Sequence, residues 1–150
     1  MMQLSGSITP ILKRKGGVLY AVSPADSVYD AIAMMADKQV GALLVLEQEK
    51  ISGIVSERDY ARKVILRGRS SKDATVAEIM SSPVVAIAPD ASVGECMQIM
   101  TEHRIRHLPV VDREQLLGMI SIGDLVNWIL IEQQETIRHL ESYITGTPVA

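Results

Sequence analysis

At 150 residues the chain has the size of one ordinary domain, or of two small ones sharing a core, and its 47% apolar content excludes a disordered protein. A formal charge of −3, from 15 Lys and Arg against 18 Asp and Glu, excludes a surface that grips nucleic acid throughout, though it leaves room for a local basic patch. The single cysteine, Cys96, excludes an internal disulfide framework and a four-cysteine zinc site; no apolar run approaches the roughly 18 residues of a membrane span; and Met1 to Thr9 lacks the pattern of a secretory signal, so a soluble, cytoplasmic protein is the expectation.

In chain order, Tyr20 to Val22 predicts a short leading strand. Behind Pro24 and Ser27, the apolar residues Val28, Ala31, Ile32 and Met35 recur at i, i+3, i+4 and i+7 and predict a helix with one buried face. Val40 to Leu46 and Ile51 to Val55, separated by the polar Glu47 to Lys50, predict a hairpin, and Glu57 to Leu66 a second helix. Gly68 to Asp73 is polar and reads as a linker. The same succession then returns: a strand at Val84 to Ile87 and a helix carrying Val93, Cys96, Met97 and Met100. A hairpin follows, from Ile105 to Val111 and Leu116 to Ile120 around Asp112 to Gln115, and then a helix from about Gly123. The helical pattern continues from Ile131 to Ile144 with Ile137, Leu140 and Ile144 on one stripe, which suits either a cover for the core or a dimer contact.

The return is a true repeat. Shifted by 65 residues, Val22 through Leu66 lies on Ile87 through Ile131 without a gap. Pro24 meets Pro89, Ser27 Ser92, Met35 Met100, Leu43 Leu108, Gly53 Gly118, Ser56 Ser121 and Asp59 Asp124. The reading is an α/β protein of the α+β kind: two β-α-β-β-α units. At about 60 residues each unit is marginal alone, so the two are expected to pack through their sheets about a pseudo-twofold axis.

Gly53-Ile54-Val55-Ser56-Glu57-Arg58-Asp59, His107-Leu108-Pro109-Val110-Val111-Asp112 and Gly118-Met119-Ile120-Ser121-Ile122-Gly123-Asp124 resemble the motifs of a tandem pair of CBS domains, a Bateman module, in a small stand-alone protein. The resemblance covers roughly Ile11 to Ile137. Ile11-Leu12 and Ile79-Met80 resemble the short element preceding each CBS unit. The boundaries read as 11–68 and 79–137 for the two domains, 69–78 for the linker and 138–150 for a helical extension and tail. The resemblance implies an adenine nucleotide (AMP first, with ADP, ATP or an NAD-type ligand as alternatives) in the cleft between the units, lined by Ala21, Val22, Ala86 and Ile87. It also implies a homodimer and, with no catalytic or channel domain in the sequence, a regulated protein on another chain. Nucleic acid and membrane are not expected partners.

The residues carry their own chemistry. Ser56 and Asp59, like Ser121 and Asp124, stand three apart at a strand-to-helix junction, where free N–H groups and the helix dipole favour an anion. A carboxylate accepts from two neighbouring hydroxyls, and a ribose diol offers that pair; the family pattern assigns Asp59 and Asp124 this role, with Ser56 and Ser121 beside the sugar or phosphate. Capping of the helix is the plainer alternative. By the resemblance, Arg106 and His107 reach phosphate oxygens, a role that suits the planar guanidinium, although Arg106 also suits a surface salt bridge. Their counterparts in the first copy, Gly41 and Ala42, are uncharged, so the two sites are expected to be unequal, with Arg58 a candidate phosphate partner in the first.

Lys13-Arg14-Lys15 suits either a solvated loop or phosphate near the first site. Arg62, Lys63, Arg67, Arg69 and Lys72 crowd a helix C-terminus, where the dipole favours cations, and no aromatic residues are interleaved for base stacking. His103 and His107 stand four apart, but His107 falls in a strand, so no metal site is expected. Cys96 reads as a small core residue, and Gly53 and Gly118 as sites of close backbone approach. Catalysis is not expected: the chain has no phosphate-clamping Gly-rich loop, no dinucleotide fingerprint and no triad. A CBS pair that binds partners without nucleotide is the alternative, and a nucleotide-processing enzyme a more distant one.

Overall fold

The computed structural model describes residues 6–145; what the sequence suggested for residues 1–5 and 146–150 lies outside the described residues. In chain order the elements are α1 (Thr9–Lys15), β1 (Ala21–Val22), α2 (Val28–Lys38), β2 (Ala42–Glu47), β3 (Lys50–Ser56) and α3 (Glu57–Lys63). A 3₁₀ turn (Ile65–Arg67) precedes α4 (Val76–Ile79), α5 (Val93–His103), β4 (His107–Asp112), β5 (Gln115–Ser121) and α6 (Ile122–Thr145). These fall into two compact units, one running from Val18 to Val85, the other joining the segment up to Gly17 to everything from Ala86 onward. The mixture of helices and strands is that of the expected α+β repeats.

In the Val18–Val85 unit, β1 pairs parallel with β2 and β2 antiparallel with β3, with Leu43 opposite Val55. The two-residue turn at Gln48 and Glu49 takes positive φ at both positions, 52° and 66°, the backbone that matches the twist of a tight hairpin. Ser27 caps α2 by accepting the Asp30 N–H at 3.1 Å, and the predicted apolar face then enters the core: Val28, Ala31 and Met35 pack with Val22, Leu43, Val45, Val55 and Val64. Residues 69–78, read from sequence as a linker, end in the start of α4. Val76 and Ile79 of that helix are fully buried in the same core. Val28 donates to Ala74 at 2.9 Å, Val76 to Asp26 at 2.8 Å and Ala77 to Pro24 at 2.9 Å.

The other unit repeats this plan. β4 and β5 form an antiparallel pair with Leu108 opposite Ile120, and the turn at Arg113 and Glu114 has φ of 50° and 68°. Ser92 caps α5 through the Glu95 N–H at 3.0 Å, and Val93, Cys96 and Met100 are buried, as their counterparts are. The leading strand expected at Val84 to Ile87 is not a strand. It reduces to one parallel bridge, Ile87 to Val110, held by Ile87 N–H to Pro109 O at 3.0 Å and Val111 N–H to Ile87 O at 2.8 Å.

The segment preceding the first repeat packs on the second. Ser7 bridges Ser92, Ile8 donates to Ala91 at 3.0 Å, Val93 donates to Gly6 at 3.0 Å, and the Thr9 hydroxyl donates to Pro89 O at 2.9 Å. Ile8 and Ile11 are thereby buried. These contacts mirror those of residues 74–79 in the other unit. The tail resolves against a core role: Leu125 is fully buried, but Ile137, Leu140 and Ile144 of α6 are 50%, 58% and 81% exposed.

Candidate ligand site

Each unit ends its hairpin at a strand-to-helix junction, and there the repeated Ser-x-x-Asp sits. The β-strand brings the serine to the end of the sheet; the reversal into the helix turns the aspartate back over it. In both units the residue that opens the helix donates to the backbone just before the hairpin: Glu57 N–H to Gly41 O at 3.1 Å, and Ile122 N–H to Arg106 O at 2.9 Å. That bond fixes what stands beside each aspartate. In the Val18–Val85 unit it is Gly41 and Ala42, with Ala42 opposite Ser56; in the other it is Arg106 and His107, with His107 opposite Ser121.

Asp59 is 8% exposed and saturated. One carboxylate oxygen accepts the Ser56 N–H and hydroxyl, both at 3.0 Å, while the other takes the Ser81 hydroxyl at 3.3 Å and lies 3.1 Å from Lys63 Nζ. Asp59 N–H donates to Ser56 Oγ at 3.2 Å, which completes a capping box. Arg58, on the first turn of the same helix, is exposed. The capping alternative is therefore realised at this junction, and the carboxylate has no oxygen to spare.

Asp124 makes the same cap, with Ser121 N–H to Oδ2 at 2.8 Å and Asp124 N–H to Ser121 Oγ at 3.1 Å. Its remaining partner is different. Lys15, at the end of α1, places Nζ 2.8 Å from Oδ2 and 2.7 Å from Met119 O. The Lys15 and Ser121 N–H contacts both fall on Oδ2, and the side chain keeps 23% exposure. Burial raises the Asp124 carboxyl pKa, but the Lys15 and Ser121 hydrogen bonds and the Lys15 charge outweigh it, and the net shift is downward. His107 is also lowered, first by burial and then by the charges of Lys15 and Arg106, against the opposing pull of Asp124. Lys15 of α1 thus bonds the carboxylate and His107 of β4 feels its charge, while Arg106, on the approach to β4, acts on His107.

Sequence reasoning placed Lys13 to Lys15 in a solvated loop or near the first site. They form the last turn of α1 and Lys15 serves the second repeat's aspartate, while Arg14 lies over the Trp128 ring at 5.5 Å. The signal available in sequence was the match of Ile11-Leu12 to Ile79-Met80, but it did not say which unit the segment joins. Of the expected base-lining residues, Val22 and Ile87 are each 7% exposed on the leading edge of their sheets, Ala21 is half-buried and Ala86 exposed. They lie one strand or bridge beyond the hairpin that carries the serine. Among the described residues no group of three or more His, Cys, Asp or Glu is placed to hold a metal, and no helix is long and apolar enough to cross a membrane.

The sequence profile of the CBS domain matches residues 18–66 and 76–131. The chain is 40% identical over 151 residues to the CBS domain-containing protein CBSX3, mitochondrial, of Arabidopsis thaliana, covering 95% of this chain and 73% of that one. In structure it is similar to a protein with CBS domains from Burkholderia ambifaria MC40-6, with 52% identity, a TM-score of 0.82, and coverage of 85% of this chain and 96% of the other. It is also similar to a hexameric CBS-CP12 protein from bloom-forming cyanobacteria, at 31% identity and a TM-score of 0.71 over 80% and 69% of the two chains. The internal duplication, the paired Ser-x-x-Asp junctions and these matches place the chain in the CBS-domain family, as a tandem pair.

Proposed function

We propose that this protein is a non-catalytic regulatory module that binds an adenine nucleotide, AMP foremost, and acts as a homodimer on a protein of another chain. The observation that carries the reading is the grouping at Asp124. A carboxylate that keeps 23% exposure, against 11% at Asp59, suits a ribose diol, and Lys15 and His107 beside it, with Arg106 next in sequence, suit phosphoryl oxygens. The phosphate role is proposed for Arg106 and His107, as the resemblance implies, and for Lys15 on its contact with Asp124. Asp59, with both oxygens engaged, is the weaker site, so one nucleotide per chain is the expected stoichiometry. The base is assigned to the aliphatic edges at Ala21, Val22, Ala86 and Ile87. Preferential binding to one conformation would shift the population of the module and so signal to its partner.

A ligand at 100 times its Kd stabilises a fold by about 2.7 kcal/mol, so thermal melts with AMP, ADP, ATP and NAD test the reading directly. A rise in Tm with at least one of them is expected; no shift with any of them at millimolar concentration would refute it. A second reading, a partner-binding CBS pair without nucleotide, is favoured by the capping role that both aspartates already fill. It predicts unchanged melts together with capture of a partner that is indifferent to Asp124→Ala.

A further inference from the structure

The stripe on α6 has no part in the ligand site or in the core. Its members are Val126, Leu130, Gln133, Ile137, Leu140 and Ile144, at successive spacings of four, three, four, three and four. That is the 3.5-residue period of a seam between supercoiled helices, which an isolated surface helix has no reason to keep. Val126 is 43% exposed, Leu130 55%, Ile137 50%, Leu140 58% and Ile144 81%, with Tyr143 flanking the end of the seam at 89%. We propose that α6 pairs along this seam with the α6 of a second copy of the chain, the two helices parallel and in register.

The area fits that occupant. Side chains of this size expose on the order of 150–200 Å² when free, so these exposures leave roughly 700 Å² of mostly apolar surface per chain, against about 800 Å² per partner in a standard stable interface. Gln133 sets the direction. It is the one polar residue on the seam, and in a parallel pair it meets its own copy, where two amides satisfy each other. An antiparallel pair centred on the stripe would set Gln133 against Ile137 and leave a buried amide without a partner. A single polar seam position is a known means of fixing register.

This inference rests on the homodimer reading above and assigns it a surface. The test is sedimentation equilibrium of the full chain, wild type beside Leu130→Glu/Leu140→Glu. Both positions are exposed in the single chain, and an unchanged far-UV circular dichroism spectrum with a cooperative melt confirms that the variant folds. Wild type is expected to self-associate, and the variant to do so with a Kd raised more than about 100-fold. Association that the charged variant leaves unchanged overturns the seam while sparing the homodimer; a wild type that stays monomeric at 100 µM overturns both. Gln133→Cys under mild oxidation is expected to give a disulfide-linked dimer that wild type does not, since Cys96 is fully buried. Absence of that species overturns the parallel register.

Discussion

The two aspartates offer a direct separation of structural from ligand roles, because the same cap is built twice with different surroundings. Replacing Asp59 by Ala strips partners from the Ser56 N–H, the Ser56 and Ser81 hydroxyls and the Lys63 ammonium at a carboxylate 11% exposed. A lost cap costs about 0.5–2 kcal/mol, and hydrogen bonds to a charged group about 1.5–3 kcal/mol, with overlap between the two; a loss of about 3 kcal/mol follows. At roughly 2–4 °C per kcal/mol for a chain of this size, Tm falls by about 6–12 °C. Asp124→Ala removes one cap and a Lys15 pair whose members are 23% and 37% exposed, so the pair itself counts for at most about 1 kcal/mol and the total loss is about 1–2 kcal/mol. For AMP the proposed role inverts the ranking: loss of charged hydrogen bonds to the sugar should weaken binding at Asp124 by roughly 10- to 150-fold. Urea unfolding gives the first quantity, and calorimetric titration of AMP, on whichever variants remain folded, the second. Equal loss of stability in the two variants would refute the reading of Asp59 as the saturated cap, and AMP affinity unmoved by Asp124→Ala would refute the ligand role.

Gly53→Ala should cost about 1–3 kcal/mol in urea unfolding, because the new Cβ would lie 2.8 Å from the Ser81 carbonyl oxygen, held in place by paired backbone bonds to Ile54; Gly118→Ala meets only the tip of Leu12 at 2.9 Å and should cost less than about 1 kcal/mol. His107 and Asp124 both titrate lower folded than unfolded, so each contributes stability that is present at neutral pH and lost on acidification. For His107 the loss begins as pH falls below its unfolded value of about 6.5, and for Asp124 it comes lower, as pH falls from about 3.9 through its folded value. Lys15→Met should raise both folded values, read for His107 by the NMR titration of its ring, and should weaken AMP binding in the same variant. Cys96, whose thiol burial and the Glu95 charge push up to about 11, should resist a thiol reagent at pH 8 in the native protein and react once urea is added.

The repeat, the helix faces and the hairpins were legible because they are local. Apolar residues at 3.6- or 2-residue period commit a segment to one buried face wherever it later packs, and Val28, Ala31 and Met35 entered the core as their spacing required. The Ser-x-x-Asp junctions were legible for the same reason, since a capping box closes within four residues. The leading strand at Val84 to Ile87 was not: four apolar residues carry little local preference, and the partner edge of β4 engages only Ile87.

What the chain's order of residues determined, then, is the doubled unit, its elements and the two carboxylates. That the sites are unequal was already legible in Arg106 and His107 against Gly41 and Ala42; tertiary structure alone decided which groups close on each carboxylate. The hairpin and helix elements match at a shift of 65 residues, but the leading segments match at 68, Ile11 with Ile79 and Leu12 with Met80, so an ungapped comparison passes over them. Their place depends on bonds between residues some 80 positions apart, such as Ile8 to Ala91 and Thr9 to Pro89. No local pattern encodes so distant a pairing. Through it a lysine that looked like part of a solvated loop stands 2.8 Å from Asp124, while Asp59 is closed off by Ser81 and Lys63.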